Sequence, residues 1–444
     1  MLQGYKAPCE LLCAEKPELI SEIHEAYLQA GADIIETCSF NATAISLAEF
    51  DLQDRAYELS AAAARLAKNA AMKFSTADKP RFVAGNMGPT SKSASLALDM
   101  ERPEKRAVTW DELEAAYYDN ARGLLDGGAD IFLIETIVDS VNAKAAICAV
   151  KRLEEERGIE LPIMLSATVM EKGGRLLSGQ TIEAFTVSVS HADPLSLGLN
   201  CSFGAEKLKP HIAVFSRKPG DVKNPLFREN LFIPPLVSAY PNAGFPNLDG
   251  EYDQSPGEMA DYIEEYFKEG LVNIAGGCCG STPAHIAAIA ERARNYPPRQ
   301  AVNSNKLNLV SGLEAWDLSK LEINVLFNDE LTGKINSGDY EGAVEFAMEE
   351  ENTGRGFLSI RTDGLSIDGI RIFFNHALQY TGLARLPVML YSDSADLSSM
   401  EIIKAGLKCL PGMSIIKIKN LKNTDPDYDR WKKLASTYGA LLYT

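Results

Sequence analysis

Histidine and tryptophan are scarce, with 5 and 3 in 444 residues, and Lys and Arg (44) are outnumbered by Asp and Glu (61), leaving a net charge of −17. That field repels a phosphate backbone, and no basic patch offsets it, so nucleic acid is excluded as a partner. No uninterrupted apolar run approaches the roughly 18 residues of a membrane span, and the opening stretch MLQGYKAPCELLC has neither a basic leader nor a long apolar segment. The sequence therefore predicts no membrane association and a cytoplasmic location. G-x-x-x-x-G-K-[ST] and G-x-G-x-x-G are both missing, so nucleotide binding has no support. None of His24, His191, His211, His285 and His376 stands in a metal-type spacing or a nucleophile-base pattern.

What is present is an ordinary globular composition, 46% hydrophobic and 24% charged, in a chain longer than the ~100–200 residues usual for one domain. Up to residue 296, apolar strand-like runs alternate with amphipathic helical runs, the pattern of a parallel sheet covered by helices. Seven strands are predicted, beginning at Asp33, Arg81, Asp130, Pro162, Leu195, Pro234 and Val272. Eight helices are predicted, near 17–30, 54–73, 110–127, 140–156, 180–190, 204–215, 256–269 and 283–294. A closed (β/α)8 barrel needs a strand ahead of its first helix, and the few residues before Pro17 contain no β-branched run. The expected fold is thus an α/β TIM-type barrel over 1–296 lacking its first strand.

A polar, Pro-containing stretch follows and is assigned as a linker, 297–318. A second β/α unit is expected over 319–444, with strands near 321–327, 356–361, 386–391, 414–419 and 439–443. Five parallel strands cannot close a barrel, so this sheet needs a cover, such as a partner chain.

Eight cysteines without an export signal read as thiols or metal ligands. In a β/α barrel the chemistry sits at the C-terminal strand ends. Cys201 ends LSLGLNC, and Cys278 and Cys279 end VNIAGGCC, so three thiolates from two strand ends can converge. Three thiolates select zinc and leave its fourth position open for substrate. The alternative is a set of buried core thiols. Acidic and amide residues recur on the same rim, among them Glu36, Asn86, Glu135, Asn200 and Asn242, and such groups suit an amino-acid substrate. Asn41, Asp139 and Asn142 are equally suited to capping the helices that follow.

LSLGLNCSFG (195–204) together with VNIAGGCCGSTPAHI (272–286) resembles the zinc-dependent homocysteine S-methyltransferase domain, and YPNAGFPNLDGEYD (240–253) is similar to its cobalamin-dependent methionine synthase branch. DIIETCSFNAT, VAGNMGPT, DIFLIETIVDSVNA and LSATVMEKGGRLLSGQT match in the same order. The resemblance implies that Cys201, Cys278 and Cys279 hold zinc and that Asn242 takes the fourth position when substrate is absent. It also implies that Glu135 helps hold the ammonium of homocysteine, whose thiolate accepts a methyl group to give methionine; Glu36, Asn200 and Asn242 are assigned to the substrate from their place on the rim. The implied donor is methylcobalamin on a separate corrinoid protein, with S-methylmethionine as an alternative donor. A family strand ending Asp-Gly-x-x-Gly-Thr, which carries an amine-binding aspartate, has no counterpart here: either the start is misassigned and a short upstream segment is lost, or the strand is truly lacking and a non-catalytic zinc-binding remnant or interaction subunit is the rival reading.

From about Gly312 the chain is similar to the first half of a pterin-binding barrel, through SGLEAWDLSKLEINV, LTG at 331–333 and AGLKCLPG at 405–412. The positions that the resemblance assigns to the pterin carry Leu326, Phe327, Asn328, Asp329 and Glu330, then Ser359, Ile360 and Arg361, then Tyr391 and Lys417. Methyltetrahydrofolate is therefore not expected to bind.

Overall fold

The computed structural model describes residues 7–216, 236–300, 308–321, 329–351 and 356–443. Seven strands form one parallel sheet in the order β1-β2-β3-β4-β5-β6-β7: Ile34–Glu36, Phe82–Met87, Ile131–Ile137, Ile163–Ala167, Ser196–Gly204, Leu236–Asn242 and Ile274–Ala275. Each matches one of the seven expected segments. Helices cover the outside at Pro17–Gln29, Ala56–Phe74, Trp110–Gly127, Ser140–Arg157, Ile182–Val189, Ala205–Ser216, Pro256–Lys268 and Pro283–Ala293, again as read from periodicity. Several start on the capping residues the sequence displays. Thr109 and Glu112 form a reciprocal capping box, as do Ser255 and Glu258, and Asp139 accepts the Val141 N–H at 2.9 Å.

The sheet curls as an incomplete barrel: among the described residues β1 and β7 are its two ends and do not pair. Ile34 on β1 and Ile274 on β7 nevertheless pack with Ala84, Ile131, Leu133 and Met164 in one interior apolar layer. The seam between the ends is backed by helices Pro17–Gln29 and Pro283–Ala293, which touch, and by Tyr27, whose hydroxyl donates to Ser281 O at 2.8 Å. This is the arrangement of a TIM-type barrel short of one strand.

Alternation along each strand then fixes what lies above that layer. Two residues past Ile34, Ala84, Leu133 and Met164 come Glu36, Asn86, Glu135 and Ser166, so the apolar floor is followed by a polar tier at the C-terminal ends.

Beyond the barrel, Leu309–Ser311 (β8) and Ala315–Asp317 (β9) form an antiparallel hairpin inside the stretch assigned as linker. Leu358–Arg361 (β10), Val388–Ser392 (β11), Ser414–Ile418 (β12) and Ala440–Tyr443 (β13) form a four-stranded parallel sheet. The further strand expected near 321–327 falls almost wholly outside the described residues. The sequence predicts four helices in this part, near 339–353, 366–380, 397–409 and 426–437, and the described residues add Asp329–Ser337 and Thr381–Ala384.

This C-terminal part is packed on the barrel's flank. Ala184 and Val187 share a buried cluster with Leu309, Val310, Met389, Met413 and Ile415. Lys144, fully buried, donates to Leu410 O and Gly412 O at 3.1 and 3.0 Å. Arg106 grips the Asn375 side chain and carbonyl. Among the described residues no helix is long and apolar enough to cross a membrane.

Candidate metal centre and the polar tier beneath it

The three expected cysteines meet. Cys201 Sγ lies 3.8 Å from Cys279 Sγ, Cys278 Sγ lies 4.0 Å from Cys279 Sγ, and all three sulfurs fall within 4.8 Å of one another. Two sulfurs held tetrahedrally by one zinc at about 2.3 Å sit about 3.8 Å apart, so the spacing fits that ion.

Local backbone geometry explains how two strands deliver three thiols. After β7 the GGCCG segment is laced to the end of β6: Gly276 N–H donates to Ala239 O at 3.0 Å, Cys278 N–H to Pro241 O at 2.8 Å, and Ala243 N–H to Cys279 O at 2.9 Å. Ser281 Oγ ties back to Cys278 O at 2.6 Å. Gly280 sits at φ +77°, and a Cβ there would meet the Tyr252 ring at 2.3 Å, so only glycine permits the tyrosine to cover the cysteines.

On the other strand, the β5–β6 register breaks between Cys201 and Gly204, and Cys201 and Ser202 adopt left-handed φ values of 56° and 60°. The β3–β4 register breaks between Ile134 and Ile137, and Thr136 there has φ 52°. Such irregularities re-aim side chains beside functional sites, and a β-branched residue in this region is a true outlier.

The thiols are not equivalent. Hydrogen bonds from Cys201 and then from Cys278 hold Cys279 down to about 2, while the same sharing pushes Cys278 well up. Tyr252 is pushed up to about 12 by burial and by the neighbouring Cys279 charge.

Below the thiols lies a connected polar tier. Asn200 Nδ2 is 3.9 Å from Cys278 Sγ and 3.3 Å from Glu135 Oε2, and it donates to Thr136 Oγ1 at 2.8 Å. Its Oδ1 accepts from Thr136 N–H at 3.1 Å and from Ser166 Oγ at 2.8 Å. Asn86 Nδ2 donates to Glu135 Oε1 at 2.6 Å and stands 3.5 Å from Glu36 Oε2. Burial pushes the Glu135 carboxyl up to about 7 despite the Asn86 hydrogen bond. Glu36 is accessible to solvent at the open end of the barrel, but the protein atoms crowded around it and then the Glu135 charge push its carboxyl above the usual carboxylate range. A cation placed between two such carboxyls would favour their ionised forms.

Asn242 is buried, and its Oδ1 accepts the Cys279 N–H at 3.2 Å. Asp139 and Asn142 serve the loop after β2: Ser93 Oγ donates to Asp139, and Asn142 bonds Ala94 N–H, Thr90 and Lys92 O. The sequence reading missed Tyr240, which is buried in the tier beside Glu135 and Ser166. It is paired in register with Asn200, and that alternation was the signal available. Ser202 and Tyr252 were missed as well, because their roles depend on backbone conformation.

Fold and site together define a β/α-barrel protein with a three-thiol centre able to hold a metal ion. The model of the family described as homocysteine S-methyltransferase matches residues 2–293, and the chain belongs to that family. Similar solved structures include the homocysteine methyltransferase MmuM from Escherichia coli in its oxidized form. That one is 22% identical, covering 65% of this chain and 91% of that chain, with a TM-score of 0.49. The metallated form of the same enzyme is 25% identical, with the same coverage and a TM-score of 0.48. Family membership supports a methyltransferase that acts on homocysteine.

Proposed function

We propose that the chain transfers a methyl group to homocysteine, giving methionine, from a donor carried outside residues 1–444. Convergence of the three thiols carries this reading. Cys201, Cys278 and Cys279 would hold zinc, and zinc when bound supplies the acidity that strips the proton from a thiol of pKa ~8.5 near neutral pH. Glu135 and Glu36, joined through Asn86, receive the substrate ammonium, whose charge draws both carboxyls toward the ionised form. Asn200 spans the tier from Glu135 to Cys278 and so sets the distance between amine and thiol. Asn242 holds the Cys279 amide and lies ready to contact the substrate.

A donor borne by a protein is favoured by the rim. Leu96, Leu98 and Met100 in the loop after β2, and Phe245 and Leu248 in the loop after β6, are exposed large apolar side chains at the same end of the barrel as the thiols. Methylcobalamin on a corrinoid protein is the donor of choice. Residues 1–296 would form the methyltransferase unit, 297–318 the connection and 319–444 a degenerate pterin-binding-like unit. In that unit the strand-end groups are engaged with each other: Arg361 pairs with Asp329, Asp363 and Asp393, Tyr391 donates to Asp393, and Lys419 pairs with Asp393. Among the described residues β13 pairs only with β12, so its outer edge would accept a partner chain.

The test supplies zinc-loaded protein and homocysteine with methylcobalamin, methyltetrahydrofolate or S-methylmethionine in separate reactions. Methionine is expected with methylcobalamin, and turnover with the folate overturns the reading of the C-terminal unit. The seam between β1 and β7 favours one other reading, a zinc-binding remnant without activity. Failure of the zinc-loaded protein to bind homocysteine in a calorimetric titration would establish that alternative.

A further inference from the structure

Cys201 and Ser202 both occupy the left-handed region, which disfavours residues with side chains. A pair of such residues persists only where its surroundings over-determine it. The Ser202 hydroxyl bonds Thr168 Oγ1 at 2.7 Å and accepts the Val169 N–H at 2.9 Å. The position of Cys201 is therefore tied to the loop that starts at Thr168.

That loop folds back on itself. Met170 N–H donates to Arg175 O at 2.8 Å, Leu176 N–H to Gln180 O at 2.9 Å, and Arg175 and Thr181 form an antiparallel bridge. Its far end is fastened to the C-terminal part of the chain. Thr181 N–H donates to Leu313 O at 3.0 Å, and Gln180, fully buried, donates through Nε2 to Gly312 O at 2.9 Å and to Ser188 Oγ at 2.9 Å, with Pro411 O also 3.3 Å away. Arg175 also pairs with Glu314 at 3.0 Å, but both side chains are more than a third exposed and such pairs contribute little. Buried hydrogen bonds are costly to leave unmade, so Gln180 is the stronger tie.

We infer that the C-terminal part of the chain braces the thiol centre, with Gln180 as a positioning residue that acts through the 168–181 loop and Ser202 to place the Cys201 sulfur. This rests on the reading of Cys201, Cys278 and Cys279 as metal ligands. It gives the C-terminal unit a task that requires no ligand of its own.

The experiment is a cobalt(II) titration of the metal-stripped full chain, following the thiolate-to-cobalt absorption bands and the ligand-field bands. The unaltered chain is expected to take up one cobalt with thiolate bands; absence of those bands defeats the metal-ligand reading itself. Gln180→Leu is expected to bind cobalt about tenfold more weakly, in the range typical of groups behind the ligands, and to shift the ligand-field bands at unchanged stoichiometry. Ser202→Ala, which touches no interface, is expected to do the same. Lys433→Ala, which removes the Lys433–Glu155 ion pair between the same two parts far from the loop, is expected to leave both readouts unchanged. If Gln180→Leu and Ser202→Ala, both folded by circular dichroism, bind cobalt as the unaltered chain does, the brace is overturned. An equal effect from Lys433→Ala overturns the route through the loop.

Discussion

The Asn200 carboxamide holds Thr136 from both sides, its Oδ1 accepting the Thr136 N–H at 3.1 Å and its Nδ2 donating to Thr136 Oγ1 at 2.8 Å. Thr136 needs that grip, because its φ of 52° is one a β-branched residue seldom adopts. Asn200→Ala is expected to lower unfolding stability by about 1–3 kcal/mol, the usual penalty for stranded buried polar groups. Turnover should fall by about 10²-fold, since Glu135 sits directly before Thr136 and shifts with it. Urea unfolding and steady-state rates check the two effects separately.

Each single substitution of Cys201, Cys278 or Cys279 by serine should reduce zinc affinity by more than the ~10–100-fold seen for groups that merely support ligands. Zinc content measured after dialysis against a chelator reads this directly. Unaltered zinc content in any one variant would remove that cysteine from the ligand set.

Glu135 makes stability and substrate affinity pull in opposite directions. Its carboxyl titrates at about 7 in the fold against 4.5 normally, so between those values the folded chain keeps a proton that the unfolded chain has lost. Stability from this group is therefore present below pH 4.5 and declines as pH rises toward 7. Glu135→Gln is expected to be more stable than the parent at pH 8, by about 2–3 kcal/mol, while its KM for homocysteine rises. In the unaltered protein KM should also rise as pH falls below 7. A variant destabilised at pH 8 would contradict the sign.

Lys144 gives the reverse dependence. Burial pulls its ammonium down to about 7, from 10.5 normally, so from pH 7 to 10.5 the unfolded chain binds a proton that the folded chain lacks. Stability should climb with pH across that window. Lys144→Met should flatten the climb by about 1.4 kcal/mol per pH unit, seen in urea midpoints at pH 7, 8 and 9.

Methyltetrahydrofolate should not bind the full chain in equilibrium dialysis. A pterin needs donors and acceptors in a fixed pattern, whereas Arg361 and Tyr391 are committed to Asp393 and Lys417 lies over the Tyr443 ring.

Strand and helix positions were legible because the strands read as apolar runs such as Ile131–Ile137, and the helices carry their own caps, as at Thr109. The ligand trio was legible because core packing does not ask for two cysteines among glycines. What could not be read was whatever depends on a backbone angle or on contacts distant in sequence. Nothing in the residue types of Thr136, Cys201 and Ser202 announces a left-handed conformation. The engagement of Gln180 with Gly312 and Pro411 spans 132 and 231 positions. The β8–β9 hairpin was hidden for a different reason: each strand has only three residues, too few for a two-residue rhythm to declare itself.

A ring of strands shares mechanical load around its whole circumference, and the ends β1 and β7, unpaired among the described residues, interrupt that hoop. Thermal breathing is then expected to start there, with amides of Ile34–Glu36 and Ile274–Ala275 exchanging hydrogen faster than those of Ile163–Ala167 at the opposite wall. The edge strand β7 leads into the loop that carries Cys278 and Cys279, so an ion held there together with Cys201 on β5 would tether that edge to the wall behind it and slow exchange in Ile274–Ala275.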